Sequence, residues 1–178
     1  MKYAFLVFKK LIIVSILVII LALILQIFVK PYFVDGLSMF PTLNDGDLVI
    51  FLKTNFKGKY FYLPQSDDIV LIKTLNSRDN LPKDKYIIKR IMAMPLDFLE
   101  REDDKLFVNG KLILKNAFRE NENYYLENGK ILKLKGDEYF VVGDNLPYSI
   151  DSRFFGPIKL DEIIGKAIIR IWPSLKSF

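Results

Sequence analysis

The chain has 178 residues, with 26 Lys and Arg against 21 Asp and Glu, and it contains neither His nor Cys. Those two absences exclude Ser-His-Asp triads, Cys-His dyads, HExxH zinc sites, Cys/His metal clusters and disulfides. The net charge of +5 is concentrated: residues 1–30 hold four lysines and no acid, leaving 22 basic against 21 acidic residues beyond them. Such a distribution reflects membrane flanking and not a nucleic-acid surface, and any nucleophilic chemistry must take its base from Lys, Asp, Glu or Tyr.

Residues 1–10 form a short basic head. From Leu11 to Val29 the sequence LIIVSILVIILALILQIFV carries no charge and only Ser15 and Gln26 as polar residues. As a helix rising about 1.5 Å per residue, this run reaches close to the ~30 Å thickness of a bilayer core. It exceeds the ~7–15 apolar residues of a secretory signal, and no small-x-small site follows it. No face is polar, which argues against a core helix of a soluble domain. The predicted element is a transmembrane anchor over 11–29. Lys2, Lys9 and Lys10 precede it and Lys30 alone follows directly, so the amino terminus is expected in the cytoplasm and residues 30–178 outside the plasma or inner membrane.

Lys30-Pro31 is expected to stop the helix. Beyond it, DLVIF (47–51), DIVLIK (68–73), YIIKRIM (86–92), YFVVGDN (139–145) and IIGKAIIRIW (163–172) read as strands bounded by Gly, Pro, Asn and Asp. KLFVNGKLIL (105–114) and YYLENGKILKL (124–134) each place Asn-Gly between apolar stretches, a hairpin signal. Residues 54–67 and 76–85 read as loops, and 159–164 could hold a helical turn. The expected architecture is a mainly β, antiparallel domain behind one transmembrane helix, with 98–138 as a small inserted β subdomain.

Three segments could carry chemistry. In VDGLSMFPTLNDGDLVI (34–50), Ser38 sits in a Gly/Pro turn nine residues beyond Val29. Such a turn exposes a hydroxyl and lets a substrate backbone approach, though a turn serine often bonds only its own backbone. In YIIKRIMAMPLD (86–97), Lys89 and Arg90 interrupt an apolar strand, whose alternation sends one of them inward. A free lysine, with pKa about 10.4, is neutral in only about one molecule in 2,500 at neutral pH. Burial that lowered this pKa by about three units would make it a usable base; on an edge strand both cations would simply be solvated. In VVGDNLPYSIDSRFFGPI (141–158), Asp151 and Arg153 can pair across one face, and Ser149 could bond a nearby amine.

Taken in order, these segments resemble the motif boxes of the type I signal peptidases, bacterial Ser-Lys proteases that remove signal peptides from exported proteins. GLSMFPTL (36–43) is similar to the nucleophile box and GDLV (46–49) to the next. IKRIMAMPLD (88–97) is similar to the lysine box, and GDNLPYSIDSRFFG (143–156) to the last. The resemblance covers roughly residues 10–172. It implies that Ser38 attacks the scissile carbonyl, that Lys89 takes its proton, that Ser149 holds the lysine amine, and that Asp151 and Arg153 organise the loop. It further implies an apolar surface resting on membrane lipid and no metal or other cofactor. The expected substrates are signal peptides with small residues one and three positions before the cut, and the secretion translocon is a further candidate partner. Gly36 stands where some members have Ser, so the oxyanion would rest on backbone amides, that of Ser38 above all. Ala93 and Leu96 replace glycines and Leu146 replaces an arginine common in the family. These departures leave a second reading, a non-catalytic membrane-anchored paralogue that binds exported segments.

Overall fold

The computed structural model describes residues 2–56, 58–60, 62–75 and 84–178. In chain order these form α1 (Lys2–Phe28), β1 (Val29–Phe33), β2 (Leu48–Lys53), β3 (Asn55–Phe56), β4 (Lys59–Tyr60), β5 (Ile69–Lys73) and β6 (Tyr86–Ala93). There follow β7 (Phe98–Glu102), β8 (Lys105–Val108), β9 (Lys111–Leu114), β10 (Ile131–Lys133), β11 (Glu138–Val142), α2 (Ser152–Phe155), β12 (Ile158–Lys159), β13 (Ile163–Trp172) and β14 (Lys176–Ser177). Within α1, Val7–Phe28 is long and apolar enough to cross a membrane, and none of it is buried in the protein. The helix starts ahead of the expected Leu11 and stops one residue short of Val29, where the chain turns straight into β1. Pro31 lies inside β1, which it can do because β1 is the sheet's edge and the missing N–H leaves no ladder bond broken.

The main sheet runs β1-β2-β13-β5-β6-β11-β12, with β14 paired to β13, and every pairing is antiparallel. Apolar cores lie on both of its faces. The first four residues of β5 are all buried: Ile69 and Leu71 join Val34, Met39, Leu43, Val49 and Phe51, while Val70 and Ile72 join Ile91, Tyr139, Val141 and Ile158. Period-2 alternation sends successive side chains to opposite faces, so an unbroken apolar run such as IVLI marks a strand covered on both sides.

A second sheet, β10-β7-β8-β9, packs Leu99, Leu106 and Val108 with Phe118, Leu126, Leu134, Phe140 and Val142. β8 and β9 make the hairpin expected at Asn109-Gly110, both turn residues holding positive φ (50° and 76°). The second expected hairpin does not form. Of 124–134 only β10 is a strand, and it pairs with β7. The Tyr125 N–H instead donates to the Arg153 carbonyl and the Gly129 N–H to that of Arg101, while Tyr124 stacks edge-on against Phe118. Long-range packing outweighs the local turn signal there. Of the two expected loops, 54–67 contains the short β3–β4 pair, and 76–83 lies outside the described residues. The helical turn expected near 159–164 is a 3-10 turn at Leu160–Glu162.

Candidate active site

The turn between β1 and β2 is held at both ends. The Val34 N–H donates to the Asp47 carbonyl and the Gly46 N–H to the Val34 carbonyl, while the Leu43 N–H donates to the Met39 carbonyl. Met39 and Leu43 are buried in the core beneath, at 1% and 0% exposure. That packing fixes the turn and leaves Ser38 at the surface of a cleft of about 220 Å3. Gly36 takes φ 88°, a region that disfavours side chains, and its N–H donates to the Asp45 carboxylate at 2.8 Å. The Ser38 N–H has no acceptor among the described residues.

Alternation along β6 resolves its two cations. Lys89 turns inward and is only 4% exposed, and its Nζ lies 2.7 Å from Ser38 Oγ. Arg90 turns the other way, donating through Nε and Nη2 to the two Asp144 oxygens at 2.8 and 2.7 Å. Burial lowers the pKa of Lys89 from its ordinary 10.5 to about 8; Asp151 opposes the shift, and Lys85 and Arg153 add to it. An ammonium donates to the serine hydroxyl at this distance, whereas a neutral amine can accept from it. The arrangement can therefore pass a proton from Ser38 Oγ to Lys89 Nζ when the lysine is neutral.

The last of the three segments folds behind this pair. Asp151 is fully buried and Arg153 is 2% exposed. The guanidinium donates from Nε to Asp151 Oδ1 at 2.8 Å and from Nη2 to Oδ2 at 2.9 Å. It also reaches the carbonyls of Ala117 and Leu146. Asp151 accepts from the Gly143 N–H and caps α2 by accepting from the Arg153 N–H. The pair is thus a closed, satisfied knot that joins the second sheet's long loop to the site. Ser149 is brought to the same place, yet its Oγ is buried and has no hydrogen-bond partner among the described residues. The bond expected from Ser149 to the lysine amine is not made; Lys89 Nζ bonds Ser38.

Two residues were not given roles by sequence reasoning. A side chain at Gly143 would collide with Ser149 and with the Ser38 carbonyl, so glycine lets the last segment close on the Ser38 turn. Asn145 clamps that turn, its N–H donating to the Ser38 carbonyl at 3.0 Å and its side-chain amide to the Leu37 carbonyl at 3.0 Å. Both lie in the GDN run that marks the last box, a signal of position but not of role. Among the three departures, Ala93 is buried in the second core and Leu146 packs partly against it. Leu96 holds φ 71° while 60% exposed, so a leucine occupies a conformation glycine would take freely.

Residues 7–172 match the family described as "Signal peptidase, peptidase S26". Signal peptidase I of Bacillus licheniformis is 35% identical over 149 residues, covering 78% of this chain and 74% of its own. Signal peptidase I V of Bacillus subtilis is 34% identical over 145 residues, covering 75% and 80%. Thylakoidal processing peptidase 1, chloroplastic, of Arabidopsis thaliana is 34% identical over 152 residues, covering 83% of this chain. The chain spans only 43% of that relative's length. A solved signal peptidase I from Enterococcus faecalis V583 is 27% identical and matches 59% of this chain and 97% of its own, with a TM-score of 0.43. With nearly its whole length matched, this chain belongs to the signal peptidase family, a family of hydrolases.

Proposed function

We propose that the chain is a membrane-anchored endopeptidase that cuts signal peptides from exported preproteins with a Ser38–Lys89 dyad. The observation that carries this reading is the 2.7 Å approach of Lys89 Nζ to Ser38 Oγ in a chain without histidine. Neutral Lys89 takes the Ser38 proton as the hydroxyl oxygen attacks the scissile carbonyl carbon. The Ser38 N–H faces the resulting oxyanion, and its lack of another acceptor supports that role. Protonated Lys89 then delivers its proton to the leaving amine. Lys89, neutral again, takes a proton from water as the water oxygen attacks the acyl carbon, and returns it to Ser38 Oγ as the ester bond breaks. Asp151 and Arg153 fix the segment behind the dyad, and Ser149 presents a hydroxyl with no competing partner.

The cleft is lined by Val34, Leu37, Ile87, Ile88 and Ile150 with Tyr32 and Tyr86, which suits an extended segment with small apolar side chains. Val7–Phe28 would span the bilayer, and Lys9 and Lys10 would keep the amino terminus cytoplasmic. Exposed Phe33, Leu37, Phe40, Tyr148 and Trp172 would meet lipid on the outer side. The test is cleavage of a preprotein in detergent by Ser38→Ala and Lys89→Ala variants, each checked for folding by circular dichroism. Both are expected to lose cleavage; full activity in either would sink the assignment.

A further inference from the structure

The membrane helix and the catalytic sheet are joined without a linker. α1 ends at Phe28, β1 begins at Val29, and β1 pairs with β2 along its whole length, from Val29↔Leu52 to Phe33↔Leu48. Ser38 lies five residues beyond β1. Any tilt of the helix is therefore transmitted to the nucleophile unless the junction bends.

Two cations stiffen that junction. The last four carbonyls of a helix have no intrahelical donor. One of them, that of Gln26, accepts from Lys53 Nζ at 2.6 Å. Lys53 is the last residue of β2 and sits opposite Gly165 of β13. At Gly165 a side chain would meet the Leu52 carbonyl at 2.6 Å, so the two strands are tightly apposed there. The ammonium thus ties the helix end to a strand flanked on both sides in the sheet, and its sign suits the negative end of the helix dipole. The second cation, Lys30 on β1, lies 3.8 Å from the ring centroid of Tyr86, a residue lining the cleft. Both lysines next to the helix end are engaged within the protein, where a purely lipid-binding lysine would project away from it.

We propose that Lys53 is a positioning residue: by locking the carboxyl end of α1 to β2, it sets the height of Ser38 above the bilayer. The distance from a membrane-held signal segment to its cleavage site is then read by a rigid arm. This rests on the membrane-anchored peptidase reading given above. A flexible junction would let the site sample many heights, and a misplacement of about 1 Å can cost up to roughly a hundredfold in rate.

The test uses the full chain in liposomes, as wild type, Lys53→Met and Lys53→Arg. One substrate is a membrane-inserted preprotein; the other is a soluble peptide with the same residues around the cut. Lys53→Met is expected to cut the inserted preprotein roughly tenfold more slowly, with kcat/KM on the soluble peptide within about twofold of wild type. Lys53→Arg, which can still donate to the carbonyl, should restore most of the loss. With preproteins whose apolar segment is longer or shorter by one helical turn, wild type should discriminate and Lys53→Met should discriminate less. Equal rates on the inserted preprotein would overturn the inference, as would an equal loss on both substrates, which would mark a merely structural role. A wild type that cuts neither substrate would overturn the peptidase reading and the inference with it.

Discussion

Replacing Lys89 by Met removes the buried ammonium while keeping a flexible stem of similar length. The lysine's pKa falls from 10.5 to about 8, mainly because burial disfavours its charged form. Between those two values the unfolded chain binds more protons than the folded one, so stability rises with pH across that window. Below pH 8 both states carry the charge, and the folded state bears the full penalty, about 3 kcal/mol at 1.36 kcal/mol per unit. Above pH 10.5 both states are neutral and the penalty is gone. Methionine carries no such penalty but forfeits the bond to Ser38, worth about 1 kcal/mol. At neutral pH Lys89→Met should therefore be more stable than wild type by about 2 kcal/mol, an advantage that shrinks as pH rises from 8 to 10.5. Urea unfolding of both proteins in the same detergent across that range measures it. On preprotein cleavage, wild-type kcat/KM should fall tenfold per unit below about pH 8, because only the neutral lysine can accept the serine proton. At pH 7 about one molecule in ten is competent, against roughly one in 3,000 for an unshifted lysine. Lys89→Met should be inactive throughout. A variant less stable than wild type at pH 7, or a wild-type profile flat from about pH 6 to 9, would refute the reasoning.

Two further substitutions separate close approach from strain. Gly143→Ala should push Ser149 and the Ser38 carbonyl apart, costing about 1–3 kcal/mol of stability, and kcat should fall more than KM changes; an active, equally stable variant would contradict the contact. Leu96→Gly relieves a left-handed leucine on the surface. The strain is about 1–2 kcal/mol, partly offset by the extra backbone entropy of unfolded glycine, so a gain of up to about 1 kcal/mol is expected. Calorimetry should show Tm raised by a few degrees with preprotein cleavage unchanged, and a lowered Tm would mean that the leucine side chain contributes packing instead.

The strands that sequence reading located best are those whose burial leaves a local trace. IIGKAIIRIW becomes β13 residue for residue, and the four apolar residues of DIVLIK are buried on both sides. Elements whose existence depends on distant partners were missed. β1 looks like the tail of the membrane helix, with Pro31 apparently ending it, and forms a strand only because β2 offers an edge. β7 carries Glu100, Arg101 and Glu102 and shows no apolar pattern, yet it is the centre of the second sheet's pairing with β8 and β10. For the candidate site, the order of the boxes foreshadowed which residues lie together: Ser38 meets Lys89, Ser149 lies near the Ser38 turn, and Asp151 pairs with Arg153. That the Ser149 hydroxyl would stay without a partner among the described residues was not legible. That depends on side-chain orientation in the folded site, and no sequence period encodes it.

The electrostatics of the site explain how so many charges can surround a lysine whose pKa stays below its ordinary value. Two carboxylates, Asp151 and Asp144, act on Lys89, and each works to raise its pKa. Each is matched by an arginine: Asp151 by Arg153 through two buried bonds, and Asp144 by Arg90 through two more. A paired carboxylate presents less net charge to a third group than a lone one, and burial outweighs both acids at the lysine. Lys85 and Arg153 push in the same direction as burial. The arginines thus do more than tie down loops. They neutralise the acids that the fold uses as caps and clamps, and so leave desolvation to set the proton affinity of Lys89. An Asp151–Arg153 pair buried next to the lysine is therefore consistent with a low pKa, whereas a lone buried Asp151 would not be.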